Sequence, residues 1–279
     1  MNSPVPHQPD PASGLEEFQV VLLDRLDKLE RKLDRLSLNG IRQMEAFIQL
    51  HAMLGPIPAP LHGWAISADL ALLLVRLIQE QPPDLVVEFG SGVSTYVLLA
   101  ALARAGVTQA AADDIPGRVA RLLAFEHLPK CHAITQELIH ASPLCSIAEV
   151  RSTPLEPWGD TTGDYLFYGE LELISSSLLP LRQGSRPIKM LVLVDGPPGR
   201  TNPWARYPAL PALLAQIEQG SGKGPPLCVE LLLDDFERTD ERQIARAWEE
   251  DLCRRGLMYA RREPVTENGT LHLSWKMRL

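Results

Sequence analysis

The chain has 279 residues, with 27 Lys plus Arg against 35 Asp plus Glu and a formal net charge of −8. That acidic balance, without any Lys/Arg-rich stretch, argues against a dedicated nucleic-acid binder, because holding a phosphate backbone requires clustered cations that release its counterions. With 45% hydrophobic and 22% charged residues, the length suits one large catalytic-sized domain plus an appendage, or two small domains.

The longest apolar run, Leu70 to Ile78, is interrupted by Arg76 and falls far short of the roughly 20 residues that span a bilayer. Met1 to Gly14 carries four prolines and no Lys or Arg, which is unlike a signal peptide and reads as a disordered tail. A cytoplasmic protein without a membrane span is therefore expected. Cys131, Cys145, Cys228 and Cys253 are widely spaced with no CxxC pair, and read as free thiols rather than zinc ligands.

From Leu15 the pattern changes. Leu15, Leu22, Leu29 and Leu36 recur every seven residues, with Leu26 and Leu33 between them, which is the 4-3 spacing of a coiled-coil seam. Asp24 to Lys28 and Asp27 to Arg31 add i,i+4 pairs in the favourable order. The segment 15–54 is expected to form one or two helices that make a homodimer, with Asn39-Gly40 as a stop or kink. Gly55-Pro56-Ile57-Pro58-Ala59-Pro60 is a linker that no helix crosses, so the main domain is expected over 55–279. Ser67 is placed to cap a buried helix from Ala68 to Gln79, and Leu85 to Phe89 reads as a short buried strand.

Strand and helix then alternate. Helices are expected at Thr95–Ala105, Lys130–His140, Ala209–Gln219 and Glu241–Arg254. Strands are expected at Leu122–Phe125, Ile147–Val150, Met190–Val194 and Val229–Leu233, followed by a pair around Met258–Arg262 and Leu271–Lys276 joined through Asn268-Gly269. This order implies an α/β fold with a parallel, doubly wound sheet and an antiparallel edge. Ligands of such sheets bind beyond the carboxyl ends of the strands.

The first strand runs into Glu88-Phe89-Gly90-Ser91-Gly92-Val93-Ser94-Thr95. Glycines there let the backbone turn sharply and approach a ligand, while Ser94 and Thr95 present hydroxyls and amides at a helix start. A dinucleotide fingerprint calls for Gly at position 95, which counts against a nicotinamide-dependent oxidoreductase. A carboxylate two residues before the glycine would repel a pyrophosphate and suits an ammonium group or free hydroxyls. The second strand ends in Glu126-His127, after the long connection Gly106–Arg121, placing an acid where a ribose diol lies in this topology. Two later strands end in Asp195-Gly196-Pro197-Pro198 and Asp234-Asp235. Three carboxylates at neighbouring strand ends repel one another unless a metal, a cationic ligand or a basic side chain lies among them. Alternatively, Asp234 or Asp235 caps the next helix or pairs with Arg200 or Arg238.

Leu85 to Thr95, Glu126-His127, Val192 to Pro198 and Leu231 to Arg238, with Gly63 to Ser67 and Ala205 to Leu210, resemble the class I S-adenosylmethionine-dependent methyltransferases, particularly bacterial members with DG and DD motifs. The resemblance covers 55–279 and implies a Rossmann-like methyltransferase sheet. It implies that Glu88 lies near the methionine amino group or its bridging water, that Gly90, Ser91 and Gly92, with Ser94 and Thr95, wrap the cofactor, and that Glu126 receives the ribose hydroxyls. Asp195 would sit beside the sulfonium and the acceptor. In the metal-dependent branch of the family, acids at the positions of Asp195, Asp234 and Asp235 hold magnesium, although Pro197-Pro198 stands here where a His often follows. The implied activity is O-methylation of a small molecule or sugar unit, with Asp195 on the acceptor side and Thr153 to Glu172 as the acceptor loop, its aromatics either stacking on an acceptor ring or packing the loop itself. The competing reading is a catalytically degenerate methyltransferase-fold adaptor that dimerises through its N-terminal coiled coil.

Overall fold

The computed structural model describes residues 11–59, 61, 65–106, 121–140, 142, 145–219 and 224–278. Residues 1–10 of the expected tail, Gly63 and Trp64 of the quoted motif, and 107–120 of the long connection lie outside them. The chain forms two compact units, Met1–Glu45 and Ala46–Leu279. The first unit is built on helix α1 (Pro11–Leu54), which is unbroken. It includes Pro11 to Gly14, so those residues are helical rather than part of a disordered tail, and it passes through Asn39-Gly40 without a stop. One Gly inside a long helix costs about 1 kcal/mol relative to Ala, too little to end a helix with strong formers on both sides. Leu22, Leu26, Leu29, Leu33 and Leu36 leave between 45% and 63% of their surface exposed.

The boundary between the units falls inside α1 rather than at the proline segment, because Ala46 and Leu50 are buried in the core of the second unit. The helix ends at Gly55, whose φ of +82° suits a residue without a side chain and whose N–H donates to the His51 carbonyl at 2.9 Å. In α2 (Ala68–Glu80), Leu70, Ala71, Leu74, Val75 and Ile78 are fully covered. Ser67 holds the N-cap position, but its hydroxyl donates to Asp69 Oδ1 at 2.7 Å instead of capping an amide.

Seven strands form the main sheet. In chain order these are β1 (Leu85–Phe89), β2 (Arg121–Glu126), β3 (Ala148–Ser152), β6 (Ile188–Val194), β7 (Pro226–Leu233), β8 (Tyr259–Arg262) and β9 (Leu271–Arg278). Their spatial order is β3-β2-β1-β6-β7-β9-β8, with the first five parallel and β9 antiparallel to both neighbours. The order reverses between β1 and β6, which is where a doubly wound sheet opens a crevice. Phe89 lies level with Phe125 and Val194, and Val194 with Leu233. The residues that follow these strands therefore emerge side by side along one edge.

Alternate residues of the strands feed two cores, as a sheet covered on both faces requires. Val86, Leu122, Ala124, Leu191 and Leu193 pack with α2 and α3 (Val93–Arg104), and with Ile139 of α4 (Pro129–His140). Leu85, Val87, Phe89, Met190 and Val192 pack with α5 (Glu172–Leu178), α6 (Ala209–Glu218) and α7 (Thr239–Arg254).

The expected acceptor loop is instead a hairpin of β4 (Leu155–Asp160) and β5 (Gly163–Tyr168). Pro157, Gly159 and Gly163 disguise these strands in sequence. Asp160 Oδ1 accepts the Thr162 N–H at 2.7 Å and so closes the two-residue turn through a side chain. Phe167 and Tyr168 are buried in the core, with the Phe167 ring 5.1 Å from Phe89. These aromatics pack the hairpin onto the sheet. All four cysteines are free, and Cys253 is exposed. Among the described residues, no helix is long and apolar enough to cross a membrane.

Candidate active site

Beyond the carboxyl ends of β1, β2, β6 and β7 lies a cleft of about 970 Å³, lined by Gly90 to Val93, Glu126, His127, Tyr168, Asp195, Asp234 and Asp235 among others. Its size lies at the upper end of the usual range for a small-ligand site, about 300–1,000 Å³. The sheet brings together residues that are more than a hundred positions apart in sequence.

The turn after β1 is held from below by a buried acid. Glu88 has no exposed surface, and its Oε2 accepts the Thr95 hydroxyl at 2.6 Å while Thr95 Oγ1 accepts the Gly92 N–H at 3.1 Å. Glu88 Oε1 is buried and makes no hydrogen bond, an arrangement that normally costs about 1–3 kcal/mol unless a ligand supplies the donor. Burial pushes the Glu88 carboxyl from 4.5 up to about 7, against the pull of the Ser94 and Thr95 hydroxyls and with added repulsion from Glu126. Gly90 has a φ of +102°, and a Cβ there would lie 3.4 Å from the Gly196 amide nitrogen. Glycine at 90 thus permits both the turn and the close approach of the β1 and β6 ends.

Glu126, at the end of β2, is buried and accepts the Leu128 N–H at 2.7 Å and the Ser91 hydroxyl at 3.2 Å. A carboxylate offers about four acceptor directions, so two remain for a ligand in the cleft. His127 stands edge-on to Tyr168, and burial lowers its pKa below the ordinary 6.5, leaving a neutral imidazole at neutral pH.

The carboxylates of Asp195, Asp234 and Asp235 each offer an oxygen within 4.8 Å of the others, as metal ligation would need. Their charges are met by a residue that sequence reasoning passed over as a possible partner, Arg206 in the turn before α6. Its side chain is only 4% exposed. Nη2 donates to the Asp195 carbonyl at 2.8 Å, to Asp195 Oδ1 at 3.1 Å and to Asp235 Oδ2 at 2.9 Å, while Nη1 donates to the Asp234 carbonyl at 3.0 Å. Arg238, from the rim, reaches Asp235 Oδ2 at 2.7 Å, and the expected pairing of Asp235 with Arg238 is present. Neither Asp234 nor Asp235 is the N-cap of α7; Arg238 is.

Magnesium on these three acids would have to displace a guanidinium hydrogen-bonded to two of the carboxylates and anchored by two carbonyls. The donor set is thus already organised around a cation of the chain itself, and it does not fit a resident metal. A signal for Arg206 exists in the sequence: three acids at adjacent strand ends need an internal counter-charge, and Arg206 directly precedes the apolar stretch Tyr207 to Leu214, which must be buried.

The cluster retains excess negative charge. Burial outweighs the attraction of Arg206 and, with repulsion from Asp235 and Glu88, pushes Asp195 from 3.8 up to about 7; burial also pushes Asp234 well above its ordinary range. Asp234 Oδ1 is buried without a hydrogen bond. Gly196, between Asp195 and a cis peptide to Pro197, sits under the Tyr168 hydroxyl and against Gly90.

No protein-family model matches the sequence, and no curated protein matches it. Solved structures do resemble it. The SAH-bound methyltransferase PaMTH1 of Podospora anserina is 13% identical, with a TM-score of 0.50 over 88% of this chain and 96% of that one. The O-methyltransferase TomG from Streptomyces achromogenes, in complex with SAM, is 17% identical with a TM-score of 0.46, over 85% of this chain and 88% of that one. An O-methyltransferase from Bacillus cereus, in complex with SAH, is 16% identical with a TM-score of 0.46, over 84% and 90%. At such identities the likeness is one of fold, and the chain carries a Rossmann-like methyltransferase fold with antiparallel C-terminal strands, preceded by an N-terminal helix.

Proposed function

We propose that the chain is an S-adenosylmethionine-dependent methyltransferase that methylates a hydroxyl oxygen of a small molecule or a sugar unit. The observation that carries this reading is a pair of buried acids at neighbouring strand ends: Glu88, with Oε1 unsatisfied, beneath the Gly90–Gly92 turn that lines the cleft, and Glu126 lining the cleft itself. The charge of Glu88 beneath the turn favours an ammonium group held above it, and a ribose diol suits the two open acceptor directions of Glu126. The backbone of Gly90, Ser91 and Gly92 lines the same cleft, whereas Ser94 and Thr95 at the start of α3 are buried and do not line it, Thr95 holding Glu88 instead. These residues fit S-adenosylmethionine, and PaMTH1, which shares the fold, is SAH-bound.

When bound, S-adenosylmethionine supplies a methyl group on a positively charged sulfur, which leaves without needing a proton. The chain's own residues then position the acceptor and take its hydroxyl proton. Asp195 is the base for that step. Arg206 holds Oδ1, which leaves Oδ2 to accept the proton, and a carboxyl raised to about 7 is both ionised above neutrality and basic enough to help. Arg206 stands in the place of magnesium, and no step runs through a metal. The excess of acids around the cleft favours a cationic cofactor over a nucleotide diphosphate.

Calorimetric titration with S-adenosylhomocysteine tests the reading. Binding is expected, with NAD showing none, and Glu88→Ala is expected to weaken binding at least tenfold. Absence of S-adenosylhomocysteine binding to the folded chain would overturn it.

A further inference from the structure

The leucine stripe of α1 serves nothing in the cleft, and its five described leucines stand half exposed on one side of a helix about 66 Å long at 1.5 Å per residue. A contiguous apolar stripe of this kind on a charged helix marks a contact surface. We propose that its occupant is the same stripe of a second copy, in a parallel, in-register coiled coil.

The heptad positions decide both the occupant and the direction. Leu26 and Leu33 fall at a, and Leu22, Leu29 and Leu36 at d, so the seam is apolar at five consecutive core positions. The positions flanking the seam are Arg25 and Lys32 at g, and Leu23 and Glu30 at e. In a parallel pair, each g residue faces the e residue of the following heptad on the other helix. Arg25 then meets the partner's Glu30, and by symmetry Glu30 meets the partner's Arg25. An antiparallel pair sets g against g, and so brings Arg25 and Lys32 of one copy against the same two cations of the other, which is repulsive. The Asp24–Lys28 ion pair, at 2.7 Å, occupies the f and c positions on the outer face and leaves the seam free. Gly40, at the next a position, ends the apolar pattern. The paired length is therefore about two heptads, short enough for association to depend on concentration.

The test uses the full chain. Sedimentation equilibrium is expected to show twice the 30.9 kDa mass, falling toward one copy on dilution. Leu29→Asp, which buries a charge in the d layer, is expected to give a monomer at every concentration while leaving the thermal unfolding of the main domain unchanged. Leu29→Cys places thiols face to face only in a parallel, in-register pair, so mild oxidation is expected to cross-link most of the chain, against the background set by the native thiols of wild type. Arg25→Glu is expected to weaken the dimer several-fold, and adding Glu30→Arg in the same chain to restore it. A single-copy mass for wild type at all concentrations, a dimer that survives Leu29→Asp, or cross-linking of Leu29→Cys no greater than in wild type would each overturn the proposal.

Discussion

Replacing Arg206 by Met tests the central electrostatic argument, because Met retains much of the side-chain volume and removes only the cation and its donors. The guanidinium is 4% exposed and makes hydrogen bonds to Asp195 Oδ1, Asp235 Oδ2 and the carbonyls of Asp195 and Asp234. Removing one partner of a buried ionic cluster leaves uncompensated charge and costs about 3–5 kcal/mol. Arg238 still reaches Asp235, but it is 54% exposed and screened by water, so it recovers little. For a domain of this size the loss corresponds to a melting temperature lowered by roughly 6–20 °C.

The penalty should depend on pH with a definite sign. Arg206 favours the ionised form of Asp195, so its removal raises that carboxyl further above about 7 in the folded state. The cost is then largest above neutrality and shrinks as falling pH protonates the site. A divalent cation should take over the vacated role: millimolar magnesium or manganese is expected to raise the melting temperature of Arg206→Met and to leave wild type unmoved. Arg206→Lys, which keeps the charge but not the fork, should fall between the two. Thermal unfolding with and without chelator reads all of this. A wild-type protein stabilised by magnesium as strongly as the variant, or an Arg206→Met protein as stable as wild type, would refute the reasoning.

Glu88→Gln should be more stable than wild type above pH 7, by up to about 3 kcal/mol, since the folded-state carboxyl at about 7 against 4.5 makes ionisation unfavourable. The gain should vanish below about pH 4.5, where both states are protonated, and denaturant titrations at the two extremes check it; the same variant should bind S-adenosylhomocysteine more weakly. Methyl transfer should gain rate with rising pH through about 7 as Asp195 ionises. Asp195→Asn should abolish that limb and Glu88→Gln should leave it in place, and a pH-rate profile unchanged by Asp195→Asn would remove Asp195 from the chemistry. Gly90→Ala, at a φ of +102° with the Gly196 amide 3.4 Å from the new carbon, should cost about 1–3 kcal/mol and lower cofactor affinity; unaltered values in both measurements would contradict the close approach drawn between β1 and β6.

Much of the architecture was legible because its signals are local. Leu85 to Phe89 reads as a buried strand from five residues, and all five are buried as β1. The glycines after it announce a turn, and the antiparallel ending of the sheet follows from Asn268-Gly269 between two short strand-like segments. The β4–β5 hairpin was hidden because its strands carry Pro157 and Gly159, and its turn is closed by the Asp160 side chain rather than by an Asn-Gly pair. The boundary between the compact units lies ahead of the proline segment for a similar reason: Gly55 and the prolines mark where the helix stops, whereas burial of Ala46 and Leu50 marks where the second unit begins.

The site divides along the same line. That acids stand at Glu88, Glu126, Asp195, Asp234 and Asp235, each at the end of an apolar run, is a property of the sequence, and so is the need for a positive charge among them. Which cation answers that need is settled by the packing of the turn before α6. There, a single arginine is buried among groups 11 to 29 residues away. Local pattern determines which residues lie at strand ends, because strand length and turns are short-range; only the tertiary fold determines which charges are buried together, because desolvation and Coulomb energy depend on distances in space.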